Sequence, residues 1–493
     1  MSDTSNGIDA AINSFFEPIA TVSSNVIFYS VNVTEGLSVP LILVWLVAIS
    51  IFMTLYLNFV NFRFFKYGLD ILRGKYDKDE DSDGQINRFQ ALATSLSGTV
   101  GLGNIGGVAI AVSLGGPGAV FWMIVMGFIA MSTKFAEVTL GVKYRHHRDA
   151  EHPGRISGGP MYYLRDAFGN RNIPYLGPFF AGLFAVCCIG GSIGGGNMFQ
   201  ANQAFSQLVN VTGGPDGPVA DSGWIFGLVL AFLVGIVIVG GIKSIANVAS
   251  RIVPFMGILY VLCAIVIIAV NYQNIPEAFS SIFIQAFAPD AVAGGILGAM
   301  LVGIQRATFS NEAGVGTAAI AHSAARTKDP LAQGFVGMLG PFIDTIVICT
   351  ITALVIVVSG AHLEPDKAVE GVDLTSRAFE SGASWFPYIL ALTVLLFAYS
   401  TILTWSYYGV KSATFLFGEN AYSEYIYKFV FLACIVVGAS SDLKHVIGFT
   451  DAMIFAMAIP NVIGLYLLAP ELKRDLKEYM KSHGLNGSAA EKA

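Results

Sequence analysis

The stretch SGTVGLGNIGG, residues 97–107, sets Gly101, Gly103 and Gly106 in the G-x-G-x-x-G spacing of a dinucleotide-binding loop. Such a loop needs a strand before it, a helix after it and an acidic residue about 20 positions on to hold a ribose hydroxyl. Between residues 84 and 136 there is no Asp or Glu at all. NRFQALATSL, before the glycines, reads instead as the first half of a helix entering a membrane, and VAIAVSL, after them, as the second half. Gly103 and Gly107 also make the G-x-x-x-G spacing of close helix packing. That reading leaves Ser97, Gly98, Thr99 and Asn104 at the same depth without a purpose. A discontinuous helix gives them one. Unwound backbone at membrane depth is tolerated only where it is buried in protein or lines a cavity, and there it offers free amides to an anion and free carbonyls to a cation.

Composition makes the membrane setting the default. The chain has 493 residues, 54% hydrophobic and only 13% charged, against about 25% charged in soluble domains. Its apolar residues fall into eleven candidate spans, near 38–60, 88–113, 117–143, 176–209, 223–241, 245–270, 291–321, 331–359, 385–416, 424–440 and 444–468. About 20 residues suffice for a helix to cross the hydrocarbon core. No gap between spans is long enough for a soluble catalytic domain. The expected layout is therefore an N-terminal segment (1–37), one transmembrane domain (38–470) and a tail (471–493). Residues 8–30 form either an amphipathic helix on the outer surface or an unstructured lead-in, and nothing before residue 37 resembles a signal peptide.

The net charge of −6 is less informative than the placement of Lys and Arg. With the N-terminus outside, the inner gaps hold nearly all of them, from Arg63 and Lys66 to Lys477 and Lys481, whereas the outer gaps hold only Lys367, Arg377 and Lys444. The positive-inside rule then predicts a cell-membrane protein with its C-terminus cytoplasmic. The run KYDKDEDSDGQ (75–85) reads as a solvated cytoplasmic loop. All five cysteines lie within spans, without C-x-x-C spacing, and act as small hydrophobes. Nothing points to nucleic acid, and the oligomeric state is left open.

A transporter built from an inverted repeat should carry a second break at the corresponding span. The seventh span, GGILGAMLVGIQRATFSNEAGVGTAAIAH (294–322), has Gly314, Gly316 and the string Ser310, Asn311, Glu312 at its middle. It opens a second set of five spans, seventh to eleventh, as the second span opens the first set. Five being odd, the two sets have opposite orientation.

With both breaks in view, TVGLGNIGG, GGPGAVFWM (115–123), SGGPMYY (157–163) and QRATFSNEAGVGTA (305–318) together resemble the alanine or glycine:cation symporter family, the sodium:alanine symporters, over residues 38–470. The resemblance implies a leucine-transporter-like fold: an all-α membrane protein of eleven helices, five-plus-five, with discontinuous second and seventh helices. It also implies sodium-driven uptake of alanine or glycine by alternating access.

A zwitterionic amino acid needs donors for its carboxylate and acceptors for its ammonium. Amides near Gly101, Leu102 and Gly103 are expected to serve the first, and carbonyls near Phe309 and Ser310 the second. Asn104 and Asn311 suit either end, and Thr99 lies at the same depth. Trp405 resembles the bulky residue that caps the family's small pocket; Phe309 is a second wall, and Gln200 is a polar group on a glycine-lined stretch. By the same resemblance, sodium is the co-transported ion. The carbonyls of Ser97, Val100 and Ala398 with the hydroxyls of Ser400 or Thr401 are its expected ligands, although Ile402 stands where the pattern has a second hydroxyl. No organic cofactor is expected.

Ionisable residues inside spans cost about 2.5–3.5 kcal/mol each near the centre. Lys134 and Glu137, three apart, can neutralise each other. Arg306 and Glu312 flank the second break, either as a gating pair or with Glu312 shaping the unwound segment, the latter favoured because a free carboxylate beside the substrate repels its carboxylate. Asp344 and Asp451 have no assigned role. The rival readings are a same-fold transporter of another small solute, such as a larger amino acid or a nucleobase, and a channel, against which two unlike breaks in one chain argue. An enzyme is weakest, since no nucleophile, base and orienting group occur together.

Overall fold

The computed structural model describes residues 18, 21–34, 37–76, 84–147, 156–169, 175–288, 295–363, 371–441 and 443–485. A helix coincides with each of the eleven apolar blocks. The principal helices are α1 (Leu41–Tyr56), α2 (Arg88–Thr99), α3 (Val108–Gly115), α4 (Gly118–Lys143), α5 (Leu176–Ile193), α6 (Phe199–Val211), α7 (Gly223–Ile238), α8 (Gly241–Val270), α9 (Ile275–Phe287), α10 (Gly295–Asn311), α11 (Thr317–Ser323), α12 (Pro330–Val358), α13 (Val372–Glu380), α14 (Phe386–Phe417), α15 (Ala421–Ser440) and α16 (Leu443–Ser482). Among the described residues seven helices are long and apolar enough to cross a membrane, and the bent pair α2–α3 makes an eighth.

Burial divides the helices by role. Along α7, Trp224, Leu228, Phe232 and Ile236 are exposed every fourth residue, while Gly223, Gly227, Leu230 and Val234 are buried on the opposite side. Gly227 permits that packing, since a Cβ there would come within 2.7 Å of the Val436 Cα on α15. So large an apolar row is an aggregation hazard in water and an asset in lipid. By contrast α2, the turn after it and α11 are buried along almost their whole length. They pack against α4, α8, α10 and α14 and form the centre of the molecule.

Local sequence explains where the central helices start and break. Asn87 and Gln90 form a reciprocal capping box that starts α2, with Gln90 N to Asn87 Oδ1 at 2.7 Å and Asn87 N to Gln90 Oε1 at 3.1 Å. The helix stops at Thr99, and the chain resumes through a wide π-type turn, Gly103–Gly107, at 52° to its former direction. Between α10 and α11 the backbone takes positive φ three times in five residues: Glu312 (54°), Gly314 (87°) and Gly316 (95°). Glycine adopts this region freely, and Glu312 does so at a cost in strain. Two further π-type segments interrupt long helices, Gly194–Met198 between α5 and α6 and Phe342–Cys349 within α12. Such bulges redirect side chains at functional sites.

The expectation of an all-helical chain needs one correction. Two small antiparallel ladders are present, β1 (Ser30–Thr34) with β2 (Leu37–Pro40), and His146–His147 with Ile156–Ser157. SVNVT alternates β-branched and polar residues, a strand pattern that the N-terminal segment's apolar content obscured. Residues 21–27 are helical; most of the proposed amphipathic stretch before them, and 77–83 of the polar run, lie outside the described residues.

Candidate functional site

The break after α2 frees backbone groups, and side chains from three elements meet them. The Gly101 amide donates to Asn104 Oδ1 (2.9 Å) and the Leu102 amide to Gln200 Oε1 (3.2 Å). Gln200 Nε2 in turn donates to the Gly195 carbonyl (2.9 Å), so the π-type segment before α6 holds the side chain that caps the break. Two of the three amides expected to serve a substrate carboxylate are thus occupied by neutral amide oxygens, which mark an acceptor position. Thr99 is turned back on its own helix, its hydroxyl donating to Ser95 and Leu96 carbonyls at 3.3 and 3.4 Å.

Opposite the break, α14 presents Thr401. A Cβ on Gly101 would fall 2.6 Å from Thr401 Oγ1 and 3.2 Å from Gln200 Oε1. Thr401 Oγ1 is buried with no hydrogen-bond partner, an anomaly inside a helix, where Thr usually bonds its own backbone. Its neighbour Ser400 does that: its hydroxyl donates to the Phe397 carbonyl (3.1 Å) and lies near Met256 Sδ (3.7 Å). The Ser97 hydroxyl donates to the Ser400 carbonyl (2.7 Å), tying α2 to α14, while Val100 ends α2 and Ala398 is wholly buried one turn before Ile402. An oxygen-rich place with one orphaned hydroxyl suits a hard monovalent cation.

Two aromatic walls flank the first break. Trp405, 1% exposed, donates from its indole to the Gly98 carbonyl (3.1 Å) and sits against Gly196, where a Cβ would come within 2.1 Å of its ring. Its backbone is braced by Ser192, and Ser192 by Tyr427. Phe309 lies 3.2 Å from the Cβ position of Gly103 and stacks edge-on to Phe199 (5.6 Å). Arg306 lies over the Phe309 ring at 5.5 Å.

The second break meets the first through side chains. Asn104 Nδ2 reaches Ser310 Oγ (3.0 Å) and Asp344 Oδ1 (2.6 Å); Ser310 Oγ donates to Asp344 Oδ2 (2.8 Å). Asn311 donates to Thr345 Oγ1 (3.1 Å) and accepts from the Ala313 amide (2.9 Å). A separate ionic cluster supports the far side of this break. Lys134 donates to the Glu312 carbonyl (3.0 Å) and stands 3.8 Å from Glu137, while Thr317 donates to the Glu312 carboxylate. Asn461 donates both to Glu137 Oε1 and to the Gly314 carbonyl, each at 2.8 Å. The Arg306 side chain pairs with Asp451 on α16, which also accepts from Gln305 (3.2 Å), and not with Glu312.

Ten of the residues anticipated from sequence therefore meet at the facing breaks: Gly101, Leu102, Gly103, Asn104, Gln200, Phe309, Ser310, Asn311, Thr401 and Trp405. Thr99 and Ser400 present their hydroxyls elsewhere. Asn461 and Thr345 were not anticipated; a polar residue after a mid-span proline, as in AIPN (458–461), was the available signal for the former.

Comparison with known proteins identifies the family. The profile of the sodium:alanine symporter family matches residues 23–492. The chain is 41% identical to the sodium/alanine symporter AgcS of Methanococcus maripaludis over 89% of its own length and 94% of the relative's. It is 34% identical to the probable sodium/glutamine symporter GlnT of Bacillus subtilis, over 90% and 88% respectively. Among solved structures, MhsT in complex with L-phenylalanine aligns over 78% of this chain and 98% of that one, with 14% identity and a TM-score of 0.46. The profile match over nearly the whole sequence and the extent of shared identity establish that the chain belongs to the sodium:alanine symporter family, a family of transporters and not of enzymes.

Proposed function

We propose that this symporter carries a small neutral amino acid, alanine or glycine, inward with sodium across the cell membrane. The observation that carries the reading is the pairing at the first break: freed amides at Gly101 and Leu102 face side-chain oxygens on one side, and the orphaned Thr401 hydroxyl stands on the other. A substrate carboxylate takes the place of the Gln200 oxygen at the Leu102 amide, beside the Gly101 amide that Asn104 holds. Its ammonium lies toward the second break at Phe309, Ser310 and Asn311, and its side chain between Phe309 and Trp405. Sodium sits beside Thr401, with the Ser97, Val100 and Ala398 carbonyls as further ligands. Ser400 enters that shell only if its hydroxyl turns from Phe397.

In this reading the chain crosses the membrane eleven times, the N-terminal segment (1–37) outside and the tail (471–493) cytoplasmic. The second to sixth and seventh to eleventh spans are the inverted halves. Transport is a rocking of one bundle about the facing breaks.

The test is uptake of labelled alanine and glycine into proteoliposomes under an inward sodium gradient, with a matched potassium gradient and with unlabelled glutamine as competitor. Sodium-driven accumulation above equilibrium that glutamine does not compete with is the expected result. Uptake equally fast in potassium removes the coupling; competition by glutamine at alanine-like concentrations moves the substrate to a longer side chain.

A further inference from the structure

Asp344 is wholly buried, and among the described residues it makes no ion pair. Burying a carboxylate without a cation is costly unless hydrogen bonds compensate it. Those bonds form two relays. From Oδ1 one runs to Asn104 Nδ2 (2.6 Å) and from Asn104 Oδ1 to the Gly101 amide (2.9 Å). From Oδ2 the other runs to Thr345 Oγ1 (2.8 Å), on to Asn311 Nδ2 (3.1 Å), and from Asn311 Oδ1 to the Ala313 amide (2.9 Å). Ser310 adds a second donor to Oδ2 (2.8 Å). Each relay ends at a backbone amide next to one of the two breaks.

The chemistry of the carboxylate orders both relays. An ionised Asp only accepts, so Asn104 must turn its NH2 toward it and its oxygen toward Gly101. Thr345 spends its one hydroxyl proton on Asp344 and is left as an acceptor, so Asn311 must present NH2 to it and oxygen to Ala313. The π-type segment Phe342–Cys349 carries Asp344 into this position between α2 and α10. We propose that Asp344 is a positioning residue for transport: its acceptor-only side chain sets the orientation of Asn104 and Asn311 and so holds the two breaks in one shared geometry. This rests on the symport reading above for its link to alanine.

The test compares Asp344→Asn with the swapped pair Asn104→Asp/Asp344→Asn in proteoliposomes. The single variant introduces a donor at the head of the relays and sets donor against donor at one amide; its alanine KM is expected to rise at least tenfold. In the swapped pair, Asp at position 104 accepts from both Gly101 and the new amide, whose oxygen accepts from Ser310 and Thr345. Because position 104 borders the proposed carboxylate position, the pair is read by its unfolding temperature and not by its KM. The unfolding temperature of the same samples in detergent, without substrate, should fall in the single variant and recover in the pair, and this reads the relay even if wild type moves no alanine. A single variant with wild-type KM, or a pair that unfolds at no higher temperature than the single variant, overturns the proposal. So does a single variant with unchanged KM that moves one fewer positive charge per alanine, which makes Asp344 an ion ligand.

Discussion

Thr401 differs from the other Ser and Thr hydroxyls on α14 in what it does not bond. Ser400, Thr404 and Ser406 each find a carbonyl, whereas Thr401 Oγ1 is buried and unpaired beside Gly101. An unsatisfied buried hydroxyl costs about 1–3 kcal/mol, a cost that a bound cation repays. Thr401→Ala should therefore raise the half-saturating sodium concentration at least tenfold while leaving alanine KM at saturating sodium within about threefold, and Thr401→Ser should restore sodium affinity. Unchanged sodium dependence of uptake in Thr401→Ala would remove this residue from the ion site. Sequence alone could not distinguish Thr401 from Ser400, because both are hydroxyls one residue apart on a helix; only their rotational positions against α2 separate them.

At the scale of the element, the two readings of GLGNIGG make opposite predictions about its glycines. If G-x-x-x-G packing governed, Gly103 and Gly107 would be the intolerant pair. Instead an added Cβ at Gly107 meets nothing within 4 Å, and its φ of −66° is ordinary helix. At Gly101 the Cβ collides with Thr401 Oγ1. Gly107→Ala should keep at least half of wild-type uptake and Gly101→Ala less than a tenth, at equal amounts of folded protein; the reverse order would return the motif to helix packing. The breaks were legible because close helix packing accounts for the glycines but not for the polar residues clustered with them at mid-span. Asp344 was legible as an anomaly but not as a partner of Asn104, since the contact joins residues 240 positions apart. The β1–β2 hairpin escaped notice because apolar content was read at helical length only.

Across the whole molecule, Arg306 and Asp451 tie the half-helix α10 to α16, and both are buried. In the proposed topology both lie on the outer side of the break, with Arg306 over the Phe309 ring, and outward opening is expected to separate them. Removing one partner of a buried pair strands a charge, at a cost of about 3–5 kcal/mol, whereas replacing both with apolar residues is often neutral. Arg306→Gln should therefore unfold at markedly lower temperature in detergent, while the pair Arg306→Met/Asp451→Leu should regain most of that loss. Transport separates latch from strut. Without the ion pair, the stable double variant should favour the outward-open state and show faster labelling of engineered outer-half cysteines than wild type, against a background of native cysteines that are buried or partly so. Equal labelling in a stable double variant would leave Arg306–Asp451 as a packing contact, with closure of the outer side carried by the aromatic walls at Phe309 and Trp405.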